Sequence, residues 1–353
     1  MPAFCPTVDR ACRRASAIGL GSMPPERIVE LDEPSCGLRG WIVVDDTTLG
    51  PAAGGVRTRA YPSAAAARAD AERLARAMTI KCAIAGLDAG GGKAVIEPVR
   101  GPARAAAFEA LGRAVEALGG SFYTAGDYGT TADDLRAMAR ATRYVRTDAG
   151  ALAGAVARGV VRCIGACAAH RGASLAGLRV AVQGCGAIGA AVAGALAAEG
   201  ARVVVADVDD ARARAVADAT GARVTTPARI LLEDVDVVAP CAIGGAIDAD
   251  CAARLRAWAV CGAANNVLAD RAVACALAAR GVLHVPDAIA SAGAVIEGVG
   301  EALMGLADRR PLIDRLGAIA RDVLAEADAT GRLPVDIVER RARARLGAAR
   351  GAG

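Results

Sequence analysis

Two kinds of hydrophobic pattern alternate along the chain. Short apolar runs rich in β-branched residues, such as Val180-Ala181-Val182 and Val203-Val204-Val205, predict buried strands. Between them lie longer segments rich in Ala and Leu, in which charged residues return every three or four positions, as in amphipathic helices. The alternation of the two patterns predicts an α/β protein.

The two halves of the chain differ in how these patterns are arranged. In the first half the pattern predicts strands over 41–49, 94–96 and 121–125, a turn or loop over 50–55, and helices over 63–78 (N-cap Ser63), 102–118 and 131–141. In the second half it predicts strands over 178–183, 202–207, 235–240, 259–262 and 282–285. It also predicts a helix over 150–170, a helix that opens with residues 184–189 and runs to 199, and two or three helices in 293–345. The regular alternation of the second half predicts a doubly wound parallel sheet.

A glycine-rich segment follows the strand at 178–183. Gly184, Gly186 and Gly189 form a Gly-x-Gly-x-x-Gly sequence before a helix, and Asp207 ends the next strand. The first glycine permits a tight turn, the second lets the backbone approach a pyrophosphate, and the third lets helix and strand pack closely. The helix N-terminus attracts phosphate, and Asp207 is placed to accept from a ribose 2′-hydroxyl and to repel a 2′-phosphate. The context predicts a dinucleotide site that favours NAD over NADP.

Composition disfavours several classes of protein. The net charge is +4 with both signs interspersed, and aromatic residues make up 3 % of the chain, which gives little support to a nucleic-acid platform. No run of about 18 strongly apolar residues predicts a membrane span. The 11 cysteines are scattered without a Cys-x-x-Cys pair, so we expect a reducing, cytoplasmic compartment and no metal site.

Only two of the 42 basic residues are lysines, Lys81 and Lys93, and they flank three glycines at 90–92. Arginine does not release its proton near neutral pH, whereas a buried lysine can, so we expect amine chemistry from at least one of the two. The glycines let a substrate approach the backbone beside Lys93, while the fixed charge of Lys81 can bind a carboxylate and favour the neutral amine of Lys93. Asp127, in a turn after a strand, is the expected partner for proton movement.

These residues belong to an ordered series of motifs that resembles a known family. The motifs are Asp46-Thr47-Thr48-Leu49-Gly50-Pro51-Ala52, Gly54-Gly55-x-Arg57, Met78-Thr79-x-Lys81, Gly90-Gly91-Gly92-Lys93, Thr124-Ala125-x-Asp127-x-Gly129-Thr130, the glycine-rich segment, Ala239-Pro240-Cys241-Ala242, Ala264-Asn265-Asn266 and Pro286-Asp287. They span roughly residues 30–345. In order and spacing they resemble the Glu/Leu/Phe/Val dehydrogenases, above all the leucine, valine and phenylalanine branch.

The resemblance implies reversible, NAD-dependent oxidative deamination of an L-amino acid, with hydride passing between its α-carbon and the nicotinamide across a cleft between domains. It implies that Lys81 holds the α-carboxylate with help from Gly54 and Gly55. It further implies that Lys93 activates the attacking water and that Asp127 shuttles protons to and from the amine. These implied roles agree with those inferred from the residues themselves.

The resemblance also implies further contacts. Those to the substrate are Ala53, Gly54, Gly55, Lys81, Ala125, Ser291, Leu316 and Ile319, and those to the cofactor are Gly184, Cys185, Gly186, Ala187, Ile188, Gly189, Asp207, Cys241, Ala242, Ala264, Asn265 and Asn266. Ala53 stands where the leucine enzymes carry Leu. The smaller residue either widens the apolar wall of the substrate pocket or reflects only the Ala-rich composition of the chain. No cation lies at an obvious pocket position. We therefore expect a hydrophobic or aromatic substrate rather than glutamate.

Three positions depart from the family pattern and keep other functions open. Gly126 replaces a usual Glu, Leu152 lies in a shortened segment where the family carries Thr, and Ser291 replaces an Asn. Lost polar contacts of this kind cost about 1–3 kcal/mol each where a buried partner goes unsatisfied. The alternatives are a diverged, acyloin-synthase-like relative that condenses or reworks 2-oxo acids, and a non-catalytic NAD-binding protein.

The chain is expected to divide into two α/β domains. Residues 1–22 are interpreted as a disordered tail or an extension ahead of Met23, residues 23–147 as an N-terminal α/β substrate-binding and dimerisation domain, residues 148–325 as a Rossmann-like NAD-binding domain with a doubly wound parallel sheet, and residues 326–353 as helices that pack back on the first domain. The expected partners are a small amino acid or 2-oxo acid and further copies of the chain, without nucleic acid or membrane.

Overall fold

The computed structural model of the chain describes residues 24–351, apart from the side chain of Ala149. The extension predicted for residues 1–22 lies outside the described residues. The described residues group into two compact units. The first unit contains 24–152, 295–309 and 341–351, and the second contains 153–294 and 310–340.

The first unit contains a five-stranded mixed sheet. Its strands are β1 (Arg27–Glu33), β2 (Leu38–Asp46), β3 (Ala52–Thr58), β4 (Gly90–Ile96) and β5 (Phe122–Gly126), and its first helices are α1 (Ala64–Ala85), α2 (Ala103–Glu116) and α3 (Ala132–Ala139). The strand order is β1-β2-β4-β3-β5. β2 runs antiparallel to β1 and β4, whereas β3 runs parallel to both of its neighbours, β4 and β5.

The register of this sheet sets which residues share a face. Ala53 of β3 lies opposite Gly91 of β4 and Tyr123 of β5, and Gly55 lies opposite Ala125. Because side chains alternate along a strand, one face carries positions 53, 55, 91, 93, 123 and 125. Helix α1 packs on that side through the cluster of Val43, Ala67, Ala71, Leu74, Ala75 and Val95. The opposite face packs against α2 and α3 in a larger core that contains Phe108, Leu111, Phe122 and Met138.

Two local predictions in the first half were wrong. Gly54 and Gly55 lie in β3 and not in a turn, and the glycine run at 90–92 begins β4 and does not precede it. Glycine runs are common signals of turns, but here the missing side chains allow strands and neighbouring residues to approach closely. Helix α1 begins after Ser63, as predicted, with the Ser63 hydroxyl accepting from the N–H of Ala66. It continues past Met78 to Ala85, so that Lys81 lies in its last turns.

The second unit contains a six-stranded sheet in which every pair of neighbours is parallel. Its strands are β6 (Arg179–Gln183), β7 (Arg202–Ala206), β8 (Arg223–Val224), β9 (Val237–Pro240), β10 (Ala259–Val260) and β11 (Leu283–His284), in the order β11-β10-β9-β6-β7-β8. This is the strand order of a dinucleotide-binding fold, and its direction reverses between β6 and β9. The predicted doubly wound parallel sheet is confirmed, with the two-residue β8 as a strand that the pattern did not predict.

The remaining helices are α4 (Ala149–His170), α5 (Ala187–Ala198), α6 (Asp210–Thr220), α7 (Ala249–Arg254), α8 (Arg271–Ala279), α9 (Asp287–Ala290), α10 (Gly293–Met304), α11 (Arg310–Thr330) and α12 (Pro334–Gly351). Within the described residues, the stretch Gly150–His170 of α4 has the length and apolar composition that a membrane crossing requires. A buried helix of a globular core has the same composition, and 61 % of that stretch is buried within the protein. Its composition alone therefore does not indicate a membrane span.

Candidate functional site

A buried ion pair joins the two residues that the sequence singles out for proton transfer. Lys93 Nζ lies 2.5 Å from Asp127 Oδ2, and the exposed fractions of the two side chains are 6 % and 18 %. Lys93 is carried by β4, whereas Asp127 follows β5. The turn that holds Asp127 is fixed to the end of β3, because the N–H of Thr58 donates to the carbonyl of Tyr128 over 2.8 Å. The structure therefore brings these two predicted catalytic residues into direct contact.

A second cation, Arg57, contacts the same carboxylate. Arg57 Nε donates to Asp127 Oδ2 over 3.2 Å. Burial raises the pKa of Asp127, but the charges of Lys93 and Arg57 outweigh burial and hold it well below its usual range. Asp127 is therefore a carboxylate at any physiological pH, able to accept a hydrogen bond or a proton from a substrate ammonium group once a cation is withdrawn.

Arg57 is itself held by a second carboxylate, that of Asp70 in α1. The distance from Arg57 Nη1 to Asp70 Oδ2 is 3.5 Å, and the hydroxyl of Tyr61 donates to the same oxygen over 2.6 Å. Arg73 donates to the other oxygen, Oδ1, over 2.6 Å. No role was predicted for Arg57 from the motif that contains it, because its contact with Asp127 spans 70 positions and depends on the strand register.

Glycines of β3 and β4 allow close approach on both faces of the sheet. A Cβ on Gly55 would lie 2.9 Å from Asp127 Cβ and 3.4 Å from Lys93 Nζ. A Cβ on Gly54 would lie 1.7 Å from the carbonyl oxygen of Gly92, and one on Gly92 would meet the ring of Phe122 at 2.8 Å. Gly55 therefore leaves room for the Lys93–Asp127 pair, whereas Gly54 and Gly92, on the other face of the sheet, allow close packing of the strands and the core.

Lys81, the predicted carboxylate ligand, is 8 % exposed in the last turns of α1. Two residues earlier, α1 passes directly over β4, because a Cβ on Gly91 would lie 2.1 Å from the backbone nitrogen of Thr79. Both lysines of the chain are thus buried in the first unit. Ala53 is fully buried in β3, and Ala125 is half-buried in β5 on the same face of the sheet as Lys93.

In the second unit, the glycine-rich segment lies where the strand order reverses. Gly184 follows β6 with a φ of 94° and lies against the loop after β9, since a Cβ on it would meet Ala242 Cβ at 2.8 Å. A Cβ on Gly189 would lie 1.9 Å from the carbonyl oxygen of Gly184, as expected where a helix packs tightly on a strand. By contrast, a Cβ on Gly186 would meet no atom within 4 Å among the described residues.

The open space at Gly186 lies at the N-terminus of α5, where no side chain caps the helix. Gly186, Ala187 and Ile188 are exposed there. Free N–H groups and the positive end of a helix dipole bind phosphate, so these residues fit the diphosphate of a dinucleotide.

Asp207 follows β7 and connects two loops. Its Oδ2 accepts from the N–H of Cys185 over 2.6 Å, and its Oδ1 accepts from the N–H of Asp209 over 2.9 Å. Burial raises the pKa of Asp207, but these N–H groups outweigh it and lower the pKa. The result is a carboxylate that fixes the glycine-rich loop and remains able to accept from a ribose hydroxyl, which suits the role predicted for it.

Two cysteines beside the glycine-rich segment are neutral thiols. Burial, and then the charge of Asp207, raises the pKa of Cys185 to about 11. Burial raises the pKa of Cys241 to about 12. A thiolate at either position would repel a diphosphate, so their neutrality is compatible with the cofactor contacts expected of them.

The other predicted contacts of the second unit lie in loops and on helices. The loop that contains Ala242 meets the loop that contains Asn265 and Asn266, because the N–H of Gly245 donates to the carbonyl of Asn266 over 2.7 Å. Ala264 is buried, whereas both asparagines are exposed. These contacts lie at the carboxyl ends of β9 and β10, the edge at which open parallel sheets bind ligands.

The three predicted substrate residues of this unit are more enclosed. The Ser291 hydroxyl donates to the carbonyl of Asp287 over 2.8 Å, within α9 and its cap. On α11, Leu316 is fully buried against Gly159 of α4, and Ile319 is half-buried. Among residues 24–351, no group of three or more His, Cys, Asp or Glu is arranged to hold a metal ion.

The chain matches two family profiles and several known enzymes. Residues 25–144 match the family profile described as the Glu/Leu/Phe/Val dehydrogenase dimerisation domain, and residues 205–306 match that of the Glutamate/Leucine/Phenylalanine/Valine dehydrogenases. The chain is 36 % identical to leucine dehydrogenase of Bacillus subtilis (strain 168) over 340 residues, covering 91 % of this chain and 93 % of that enzyme. It is 40 % identical to valine dehydrogenase of Streptomyces coelicolor over 286 residues, 77 % of this chain and 78 % of that enzyme.

A solved structure gives the same result. The crystal structure of L-tryptophan dehydrogenase from Nostoc punctiforme matches with a TM-score of 0.78 and 33 % sequence identity. The match covers 92 % of this chain and 97 % of that one. The resemblance and the two-domain α/β fold predicted from the sequence are confirmed.

Proposed function

This chain belongs to the Glu/Leu/Phe/Val dehydrogenase family, and we propose that it catalyses the reversible, NAD-dependent oxidative deamination of a hydrophobic or aromatic L-amino acid. The net reaction converts the amino acid, water and oxidised dinucleotide into the 2-oxo acid, ammonium, reduced dinucleotide and a proton. The observation that carries the proposal is the buried contact between Lys93 and Asp127 beside Gly55.

Three residues divide the proton and charge movements between them. Lys81, buried at the end of α1, holds the α-carboxylate of the substrate. Asp127 takes a proton from the substrate ammonium group, so that the nitrogen lone pair can form the iminium as the hydride leaves. Lys93 removes a proton from the water that attacks the iminium carbon, a task that arginine could not perform. The bound dinucleotide supplies the oxidation by accepting the hydride.

The proposed substrate class rests on the surroundings of Ala53. This residue is fully buried where leucine enzymes carry a larger side chain, and Tyr123 and Gly91 lie opposite it across the sheet. Ala125, Leu316 and Ile319 add apolar surface, whereas Gly54, Gly55 and Ser291 contribute backbone or hydroxyl groups. Relatives at 33–40 % identity include dehydrogenases of leucine, valine and L-tryptophan, which supports a substrate with an apolar side chain.

The test is an assay of the purified chain with NAD and a panel of L-amino acids, followed through NADH absorbance. We expect reduction with one or more hydrophobic or aromatic amino acids and little with glutamate. No reduction with any amino acid, in protein that binds NAD, would refute the proposal. Condensation of paired 2-oxo acids without net redox change would instead favour the acyloin-synthase-like alternative. That alternative is considered because Gly126, Leu152 and Ser291 depart from the family pattern.

The proposed preference for NAD over NADP rests on Asp207. Its carboxylate would repel a 2′-phosphate, and the neighbouring Arg212 is paired with Asp209 over 3.2 Å. We expect Asp207→Ala to reduce the ratio of kcat/KM for NAD to that for NADP by about 10- to 100-fold, since a lost charged hydrogen bond costs about 1.5–3 kcal/mol. Arg212→Gln, on the same rim, serves as the control and should leave the ratio nearly unchanged. An unchanged preference in the Asp207 variant would exclude its ribose role.

The assembly and cellular location are further parts of the proposal. The match to a dimerisation domain supports a homo-oligomer, a dimer or larger, formed through the N-terminal domain proposed for residues 23–147. Residues 148–325 would bind NAD, and 326–353 would pack on the first domain. Sedimentation of the purified chain measures the assembly, and a monomer at micromolar concentration would contradict it. A cytoplasmic location follows from the scattered cysteines and is tested by fractionation.

A further inference from the structure

One oxygen of Asp127 is shared by two cations of different chemistry. Lys93 Nζ is 2.5 Å and Arg57 Nε 3.2 Å from Oδ2. The exposed fractions are 18 % for Asp127, 6 % for Lys93 and 13 % for Arg57, so water screens little of this interaction. Both of these contacts use the same oxygen, Oδ2.

Arg57 is held in position from the side away from Asp127. Asp70 binds its Nη1, and Asp70 is in turn fixed by the hydroxyl of Tyr61 and by Arg73. The charged and titratable groups around Asp127 are therefore Lys93 from β4, Arg57 from β3, and, behind Arg57, the Tyr61–Asp70–Arg73 group of α1 and the segment before it. A guanidinium clamped between two carboxylates has little freedom to leave either one.

The two cations respond differently to the proposed reaction. Lys93 must be neutral when it takes a proton from water, and at that moment it no longer offers a positive charge to Asp127. A buried carboxylate without a counter-charge tends to take up a proton, which would remove the base that the substrate ammonium needs. Arg57 cannot lose its charge in the accessible pH range, so it remains a counter-ion throughout.

We propose that Arg57 is a positioning residue that fixes Asp127 Oδ2 and keeps this carboxylate charged whichever protonation state Lys93 takes. Lys93 is then free to change its protonation state without changing that of Asp127. This role rests on the proposed function of Asp127 and Lys93, but its electrostatic part can be measured without turnover.

The decisive experiment titrates the Asp127 carboxyl by NMR in protein labelled with ¹³C-aspartate, with the signal assigned through Asp127→Asn. Lys93→Met removes the lysine charge permanently. In this variant we expect the titration midpoint of the Asp127 carboxyl to stay at or below the ordinary value for Asp, because Arg57 remains. In Lys93→Met/Arg57→Gln we expect the midpoint to rise by at least about 1 further pH unit, the effect of losing a close opposite charge. Equal midpoints in the two variants would overturn the proposal.

The kinetic counterpart uses the wild-type lysine. In Arg57→Gln we expect kcat to fall about 10- to 100-fold, the acid limb of the kcat/KM profile to move to higher pH, and the KM for the amino acid to change less than kcat. Arg57→Lys restores the charge and should return the acid limb toward its wild-type position. An acid limb that does not move in Arg57→Gln would contradict the role.

The matched control is Arg73→Gln. Arg73 binds the same Asp70, but its side chain is 52 % exposed. We therefore expect this substitution to leave the pH profile in place and to change kcat by no more than about 2-fold. If Arg57→Gln fails to fold, Asp70→Asn removes the outer anchor of Arg57 and should give a smaller shift in the same direction. If the wild type oxidises no amino acid, the proposed function fails, whereas the NMR titration still decides the role of Arg57.

Discussion

The two candidate sites are built from different parts of the polypeptide. In the first unit the candidate site consists of charged side chains, those of Lys93, Asp127 and Arg57, that are buried together on one face of a sheet. In the second unit the site is made mostly of backbone, the uncapped start of α5 and the glycine-rich loop held by Asp207. Burial makes the first site sensitive to changes of charge, whereas the second depends on space left free at the start of a helix.

Glycine illustrates the difference. In the first unit, Gly54, Gly55 and Gly92 have little space around them, because neighbouring backbone, ring or catalytic atoms occupy it. In the second unit, Gly186 has open space around it, whereas Gly189 does not. The open space at Gly186 matters because it lies at the uncapped N-terminus of α5, whereas the crowded glycines allow close contacts between neighbouring segments.

The largest expected effect comes from Lys93→Arg in the first unit. The variant retains a positive charge against Asp127 but removes the amine that can act as a base, so we expect kcat to fall by about 10²–10⁴-fold. Measured dinucleotide affinity should not change. Lys81→Arg is the matched control, because a carboxylate ligand needs only charge, and it should mainly raise the KM for the amino acid. Substantial turnover by Lys93→Arg would exclude Lys93 as the proton-transferring amine.

A paired substitution tests the second unit. Gly186→Val adds atoms where nothing lies within 4 Å, at a φ of −67° that any residue adopts, so we expect dinucleotide binding to weaken about 10-fold or more with Tm unchanged. Gly189→Ala places a Cβ against the Gly184 carbonyl and should destabilise the unit by about 1–3 kcal/mol. Calorimetry and dinucleotide titration of both variants separate the two effects. A lower Tm with intact binding in Gly186→Val would reverse the assignment.

The two units also differ in their response to acid. Burial lowers the pKa of His284 in β11 to about 4, from 6.5 in an exposed histidine, despite the opposing charge of Asp287. The contribution of a neutral His284 is fully present above pH 6.5 and is lost as the pH falls toward 4, by up to about 3 kcal/mol. The low pKa of Asp127, in contrast, affects stability only below about pH 4. We therefore expect the second unit to weaken first between pH 6.5 and 4.

The two tryptophans provide the reporters. Trp41 belongs to the first unit and Trp258 to the second, where its carbonyl accepts from the N–H of Leu283 beside His284. Urea unfolding of Trp41→Phe, followed through Trp258, should show a stability that falls between pH 6.5 and 4. His284→Asn should flatten that dependence, and an equally steep loss in His284→Asn would assign the effect to other groups.

The sequence was most informative where function depends on local spacing. The interval from Gly184 to Gly189 predicted the turn and the helix start, because both lie within one β-α-β segment, whereas the hydrogen bond from Cys185 to Asp207 was not predicted. Lys93 and Asp127 were identified by residue type, but their contact, and the whole contribution of Arg57 and Asp70, depends on which strands are neighbours. The order β4-β3-β5 and its register are not encoded in any short stretch. Gly54 and Gly55 were misread as a turn for the same reason.

The close approach of β3 and β4 limits how this scaffold can be altered. The carbonyl oxygen of Gly92 occupies the position that a side chain on Gly54 would need. A side chain on Gly55 would collide with the side chain of Asp127. Mutational scanning should find these positions intolerant even of alanine. A directed-evolution library aimed at new substrates will therefore gain more from diversifying Ala53 and Ala125, which lie on the same sheet face and already carry a β-carbon.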